Sequence, residues 1–239
     1  MTTVIELENV CKKYNRGRTG LKEIVTGFLG LLMQDSNKKR QSVNRSFLAL
    51  KNVSIKINQG ESVGITGKNG AGKSTLLKLI YGVANPSSGI IKTRGKIAGF
   101  LDVLSCFYQE YTARENVFLA GAFLGASKND LSRKIDQIMT FAELEQCIDT
   151  PLKKFSSGMY LRLAFSIVIN LNHEILLFDE IFAVGDAEFK AKCQKILNKM
   201  WELEKRTLLI VSHNKDLIQN VCTRVIELKE GEIISDVTL

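Results

Sequence analysis

Ser62-Val63-Gly64-Ile65-Thr66-Gly67-Lys68-Asn69-Gly70-Ala71-Gly72-Lys73-Ser74 is the stretch that decides the fold. Its first five residues read as a short apolar strand, and Gly67 to Ser74 fit the phosphate-binding pattern G-x-x-x-x-G-K-[ST]. Thr75-Leu76-Leu77-Lys78-Leu79-Ile80 continues as a helix. A strand feeding a glycine-rich loop that opens a helix makes a cradle for polyphosphate. The loop amides point inward, the helix N-terminus adds partial positive charge, and Lys73 reaches the terminal phosphates. Gly67, Gly70 and Gly72 suit a backbone that bends tightly and comes close to a ligand. Gly67, Lys68, Asn69, Gly70, Ala71, Gly72, Lys73, Ser74 and Thr75 are the candidate nucleotide-binding set, with the Ser74 hydroxyl as a donor to Mg²⁺. The nucleotide is ATP or GTP.

A second constellation lies roughly 100 residues further on, a separation that strengthens its pairing with a phosphate loop. Ile175-Leu176-Leu177-Phe178-Asp179-Glu180 is an apolar run ending in two acids. As a buried strand it delivers those acids at its C-terminal end, where α/β sheets place their ligands. Asp179 is the candidate for the Mg²⁺ shell, and Glu180, one residue beyond, for orienting or deprotonating the attacking water.

Strands alternate with helices through most of the chain. Strands are expected at Val4–Val10, Phe47–Ile57, Ile90–Lys92, Ile97–Leu101, Thr207–Ser212, Arg224–Leu228 and Glu232–Ile234, with a helical middle from Arg114 to about Leu171. Ser127 followed by Asp130 marks a helix N-cap, after which Leu131, Ile135, Ile138 and Met139 share one face. Helices are also expected over Ala187–Leu203 and from Lys215. This alternation predicts an α/β fold with a largely parallel sheet covered on both faces.

Phe155-Ser156-Ser157-Gly158-Met159, leading into Tyr160-Leu161-Arg162-Leu163-Ala164-Phe165, falls between the phosphate loop and the acidic strand. In that order the segment resembles the signature motif of ATP-binding-cassette (ABC) ATPases, with Phe155, Ser156, Ser157, Gly158 and Met159 in place of the usual L-S-G-G-Q. The resemblance spans essentially the whole chain and implies a P-loop ATPase core, a small antiparallel β subdomain and a helical subdomain at about 102–171. It also implies a single domain over 1–239 with an insertion at about 15–46. Ser156, Ser157, Gly158 and Met159 are then expected to cap a second nucleotide, Asp186 to sit in the D-loop Ala183-Val184-Gly185-Asp186, His213 to act as the switch histidine, and Tyr14 to stack on adenine. The position that usually carries the family's Q-loop glutamine falls near Asp102 or Val103.

The chain looks most similar to the branch whose ATPase subunits export O-antigen, teichoic acid or capsular polysaccharide. The likeness rests on Thr112-Ala113-Arg114-Glu115-Asn116, on Ser156 to Met159, and on Asp179 to Phe189. It implies ATP and Mg²⁺, a homodimer of ATPase subunits, separate transmembrane permease subunits, a lipid-linked polysaccharide handled indirectly, and a peripheral place at the cytoplasmic face of the inner membrane. No room for a C-terminal carbohydrate-binding domain is expected.

Composition narrows the rival classes. The charge of +8 is concentrated between Lys12 and Arg45, where Lys12, Lys13, Arg16, Arg18, Lys22, Lys38, Lys39, Arg40 and Arg45 face only Glu23 and Asp35. Such a cluster suits an anionic partner: nucleic acid, phospholipid headgroups or a phosphate-bearing substrate. Within it, Leu21, Ile24, Val25, Phe28 and Leu32 lie at helical spacing, which suits a membrane surface, a partner's groove or the domain's own body. The five cysteines are scattered with no C-x-x-C, against a disulfide framework or zinc site, and are expected to be small, mostly buried apolar residues. No apolar run reaches the roughly 18 residues of a membrane span, and no secretion signal opens the chain, so a cytosolic protein is expected. A soluble ABC ATPase acting on nucleic acid or ribosomes lacks its usual second cassette or coiled coil here, so no nucleic acid is expected as partner. A P-loop kinase would need a substrate lid and no Ser156–Met159 segment.

Overall fold

The structure, a computed structural model, describes residues 2–15, 46–179 and 187–239. Two sheets organise it. The first is antiparallel and three-stranded in the order β2-β1-β4, from β1 (Thr3–Asn15), β2 (Ser46–Asn58) and β4 (Ser88–Thr93). The second has six strands in the order β5-β6-β7-β3-β8-β9, from β3 (Ser62–Thr66), β5 (Ile97–Gly99), β6 (Ile175–Asp179), β7 (Thr207–Val211), β8 (Arg224–Lys229) and β9 (Glu232–Thr238). The five strands from β5 to β8 run parallel, and β9 returns antiparallel on β8. Fold class is as the sequence leads one to expect.

The near-continuous apolar runs of the central strands have a physical reason: both faces are covered. In β6, Leu176 and Phe178 enter one core while Ile175 and Leu177 enter the other. In β7, Leu208 and Ile210 divide from Leu209 and Val211 in the same way. One core takes the helices α2 (Phe100–Cys106), α3 (Ala113–Phe123), α4 (Lys128–Ala142), α5 (Ser157–Asn170), α6 (Ala187–Glu202) and α7 (Lys215–Val221). The other takes α1 (Lys73–Tyr81) and the inner face of the antiparallel sheet, where Val53, Ile55 and Ile57 alternate inward as their period-two spacing demands.

Local chemistry fixes the helix ends. Thr112 and Glu115 form a reciprocal capping box at the start of α3. Ser127 caps α4 by accepting from the Asp130 amide, and Leu131, Ile135, Ile138 and Met139 are buried beneath it. The structure differs from expectation at β5. The strand stops at Gly99, and Phe100 and Leu101 already belong to α2. The cysteines also divide: Cys193 and Cys222 are buried, and burial raises each thiol to about 12, whereas Cys11, Cys106 and Cys147 are only partly covered. The insertion expected at about 15–46 lies, but for its end residues, outside the described residues, and with it the apolar spacing and all of the basic cluster except Lys12 and Lys13. Among the described residues no helix is long and apolar enough to cross a membrane.

Candidate functional site

The phosphate loop joins the C-terminal end of β3 to α1. Gly67 has φ +138° and Gly72 φ +109°, values that bar an L side chain. Space enforces the same choice. A Cβ on Gly67 would run into the Leu228 carbonyl oxygen, and one on Gly72 would come within 2.6 Å of the Ala49 carbonyl oxygen. The loop is braced from outside by residues remote in sequence. The Gly231 amide donates to the Ala71 carbonyl at 3.0 Å, and the Lys51 amide to the Gly231 carbonyl at 2.8 Å.

The inner side of the loop is open. Gly72, the N-cap of α1, supplies no side-chain acceptor, and no acid stands in the first turn. The first amides of the helix are therefore left for a ligand. Lys73 is only 6% exposed, and its ammonium donates to two carbonyls of its own loop, Gly67 at 2.8 Å and Lys68 at 3.2 Å. A buried ammonium held by neutral carbonyls, beside uncapped amides, is a site prepared for anionic charge. Lys68, Asn69 and Gly70 are exposed on the rim with Ser74, and Thr75 is half-buried.

Strand register brings the other candidates to the same edge. Val211 pairs with Ile65 on one side and Asp179 on the other, so the ends of β3, β7 and β6 are level. Asp179 is half-buried there, and His213 follows two residues past the end of β7. The turn holding His213 is fixed on either side. The Asn214 amide donates to Ser212 Oγ at 3.0 Å, and Asn214 Oδ1 caps α7 through the Leu217 amide at 3.1 Å. A cleft of about 520 Å³ opens along this flank, lined by Thr66, Gly67, Lys68, His213, Lys215 and Glu227 among others. It excludes Lys73, Ser74 and Asp179, so it adjoins the phosphate cradle rather than being it. Ser74 and Asp179 supply hydroxyl and carboxylate oxygens, the hard donors Mg²⁺ takes alongside phosphate oxygens. Glu180, Asp186 and the rest of 180–186 lie outside the described residues.

Tyr14 pairs with Phe47 across β1 and β2, the two rings stacked with centroids 5.7 Å apart and the Lys12 ammonium 5.0 Å from the Tyr14 ring. Lys12 pairs with Leu50, and Leu50 and Ala49 touch Gly72, so the aromatic pair stands beside the phosphate loop.

The Ser156–Met159 segment begins α5. Ser156 and Ser157 are exposed, and Ser156 Oγ accepts from the Met159 amide at 3.2 Å. Phe155 and Met159 are half-buried against the helical core, which leaves the serines and Gly158 at the tip. Neither residue at the expected Q-loop position serves an amide role. Val103 is buried in the core, and Asp102 lies against Gly99 and near Tyr81 and Cys106, its carboxyl raised to about 6 by burial. Tyr81, itself pushed up to about 12, closes α1 at the end remote from Lys73.

Two side-chain networks of the helical layer were not marked as such by the sequence. Asn116 shapes the 108–112 turn by donating to the carbonyls of Tyr108, Tyr111 and Thr112 and accepting from the Tyr108 amide. Glu143, Arg162 and Lys192 form an ion network behind α5. An Asn inside a helical pattern flags the first weakly; nothing in the local sequence flags the second.

Known proteins resemble this chain over most of its length. The ABC transporter family profile matches residues 50–183. The chain is 36% identical over 235 residues to the O-antigen export system ATP-binding protein RfbB of Klebsiella pneumoniae, covering 98% of this chain and 93% of that one. It is 42% identical to the ABC transporter protein AbcA of Aeromonas salmonicida over 79% of this chain, and 35% identical to the teichoic acids export ATP-binding protein TagH of Bacillus cereus over 98%. It spans 61% of the length of AbcA and 40% of TagH. Among solved structures, the dimeric ATP-binding cassette MJ0796 in a post-hydrolysis state bound to ADP and Pi is similar at TM-score 0.78 and 26% identity, covering 98% of both chains.

Proposed function

The chain belongs to the ABC transporter family, and from that premise we propose that it is the ATP-hydrolysing subunit of an exporter that drives lipid-linked O-antigen or a related polysaccharide across the inner membrane. The observation that carries the reading is the uncapped, glycine-built N-terminus of α1 with the buried Lys73 ammonium, in the same chain as the exposed Ser156 tip. The exporter branch is supported by similarity to RfbB across nearly the full length of both chains. Similarity to TagH keeps a teichoic acid or capsule exporter as the second reading.

Among the described residues, one chain offers one phosphate cradle and one serine tip, each at a helix N-terminus. The likeness to a dimeric cassette supports two copies facing each other, each lending Ser156, Ser157 and Gly158 to the triphosphate held by the other's loop. Tyr14 stacks on the base. The amides of Gly67–Thr75 and Lys73 neutralise charge as it develops on the γ-phosphoryl oxygens. Ser74 and Asp179 would hold Mg²⁺, which would supply positive charge to offset that of the triphosphate. Glu180 orients the water and accepts its proton as the water oxygen bonds to the γ-phosphorus and the bridging oxygen leaves with ADP. His213 fixes the γ-phosphate end, and Asp186 belongs to the nucleotide-contacting set. In this reading separate permease subunits carry the membrane spans, and the chain works at the cytoplasmic face as a peripheral subunit.

Glu180→Gln tests the reading directly. The variant should accumulate as an ATP-bound dimer on size exclusion with little turnover. ATP hydrolysis at the parental rate by a protein that stays monomeric would overturn it.

A further inference from the structure

Glu143 ends α4 in the left-handed region, with φ +61° and ψ 43°. Glycine is the usual occupant of that position, because a side chain there is strained. Here the strained position carries a carboxylate that two other helices use. Oε2 accepts from Arg162 Nη1 of α5 at 2.6 Å, and Oε1 accepts from Lys192 Nζ of α6 at 2.8 Å. Lys192 also donates to the Phe141 carbonyl at 2.9 Å. Each cation covers an aromatic face, Arg162 at 4.8 Å from the Phe189 ring and Lys192 at 4.7 Å from the Phe141 ring. Phe141 and Phe189 pack on each other and on Phe165. Lys192 first, then Arg162, holds the Glu143 carboxyl below the usual glutamate range.

In sequence, the two bridged helices each begin next to a candidate functional segment. α5 starts from the Ser156 tip, and α6 starts at Ala187, directly after the Glu180–Asp186 sequence. We propose that Glu143 is a positioning residue for ATP hydrolysis. Its carboxylate couples the helix whose tip closes on the facing copy's nucleotide to the helix that follows Glu180, which acts on the chain's own nucleotide. The proposal rests on the two-copy reading above. The coupling makes each copy's hydrolysis sensitive to engagement of its tip, so the two sites fire cooperatively.

Glu143→Gly is the decisive variant. It removes the carboxylate and suits the left-handed backbone, so the melting temperature should equal or exceed that of the parent. Turnover should fall on the order of threefold to tenfold, with KM for ATP nearly unchanged and the Hill coefficient moving toward about 1. Lys192→Met should reproduce the loss, and the double variant should be no worse than either single one. Hydrogen exchange in the Glu180→Gln background gives a readout free of turnover. ATP should protect amides of α5 and α6 together in that background, and those of α5 alone when Glu143→Gly is added. Unchanged turnover and cooperativity in Glu143→Gly, additive single effects, or joint protection of both helices without the carboxylate would each overturn the proposal. ATP-driven dimerisation of the parent, measured alongside, reads the two-copy premise separately.

Discussion

The helices α1 and α5 both begin with small residues, yet their tips are built in opposite ways. Gly72 offers α1 no side-chain cap, while Ser156 caps α5 through the Met159 amide. A serine cap is worth about 1 kcal/mol to a helix, so the chain forgoes that stability at the phosphate loop. What it keeps there is a set of free amides, held in place by Gly231, Ala49 and Leu228 from the far side. The loop is therefore ready for its ligand without help, whereas the α5 tip is satisfied by itself and gains from a ligand only what its remaining hydroxyl proton and amides can add. One tip suits binding and the other suits closure.

Substitutions at the two tips should separate these roles. Lys73→Ala removes the buried ammonium and should lower nucleotide affinity on the order of 100-fold, read by fluorescent-nucleotide titration. Affinity unchanged from the parent would mean that the loop is not the nucleotide site. Ser156→Ala should leave single-site nucleotide affinity within about twofold, yet cut turnover roughly tenfold to a hundredfold, as loss of a transition-state donor does. It should also cost about 1 kcal/mol of stability through the lost cap. If nucleotide affinity falls and turnover per bound nucleotide does not, the contrast between the tips is wrong.

Much of this contrast was legible in the sequence because it is local. The phosphate loop is a contiguous pattern, Asp179 is marked by the end of an apolar run, and Ser127 is marked by the acid three residues on. The Ser156 tip was located by order along the chain more than by its own chemistry. What stayed hidden is set by distant contacts. Gly231 braces the loop from 160 residues away in sequence, because β8 happens to neighbour β3. Glu143 gives no local sign of its left-handed backbone, since glycine would be the expected residue there. At Leu101 the apolar run continued past the strand into a helix, and periodicity over so few residues does not distinguish the two.

The opposite ends of the same two helices differ as well, this time in charge. α1 ends at Tyr81, close to the half-buried Asp102, whose carboxyl burial raises to about 6. Between the unfolded value of 3.8 and about 6, the folded chain holds a proton that the unfolded chain has lost. Stability is therefore lost as pH rises through that window, and above it the buried carboxylate is a net cost. Asp102→Asn should raise the melting temperature at pH 7.5, by an amount equivalent to about 1–2 kcal/mol, with the gain vanishing near pH 4. A gain independent of pH would show that the carboxyl's charge is not the cause.

α5 ends among cations. Lys134 donates to the Asn170 carbonyl at 2.6 Å and Arg206 to the Leu171 carbonyl at 2.9 Å, a favourable pairing with the negative end of the helix. His173, 5% exposed, bonds the Leu124 carbonyl through Nε2 at 2.9 Å, and its Nδ1 has no partner. Burial depresses the imidazole pKa most; the Leu124 bond, the next-largest effect, opposes it, and Lys96, Arg206 and Lys134 lower it further. The sign is the reverse of that at Asp102. Below 6.5 the unfolded histidine takes up a proton before the folded one, so stability falls as pH drops from 6.5 toward the folded value. The two groups partly cancel in the parent protein, so a flat melting curve there decides nothing. The difference between the parent and His173→Gln does decide. Glutamine keeps an amide donor for Leu124 and cannot titrate, so acidification from pH 7.5 to pH 5.5 should destabilise the parent more than the variant. Parallel melting curves would mean that the imidazole has the same pKa folded as unfolded, contrary to its burial beside three cations.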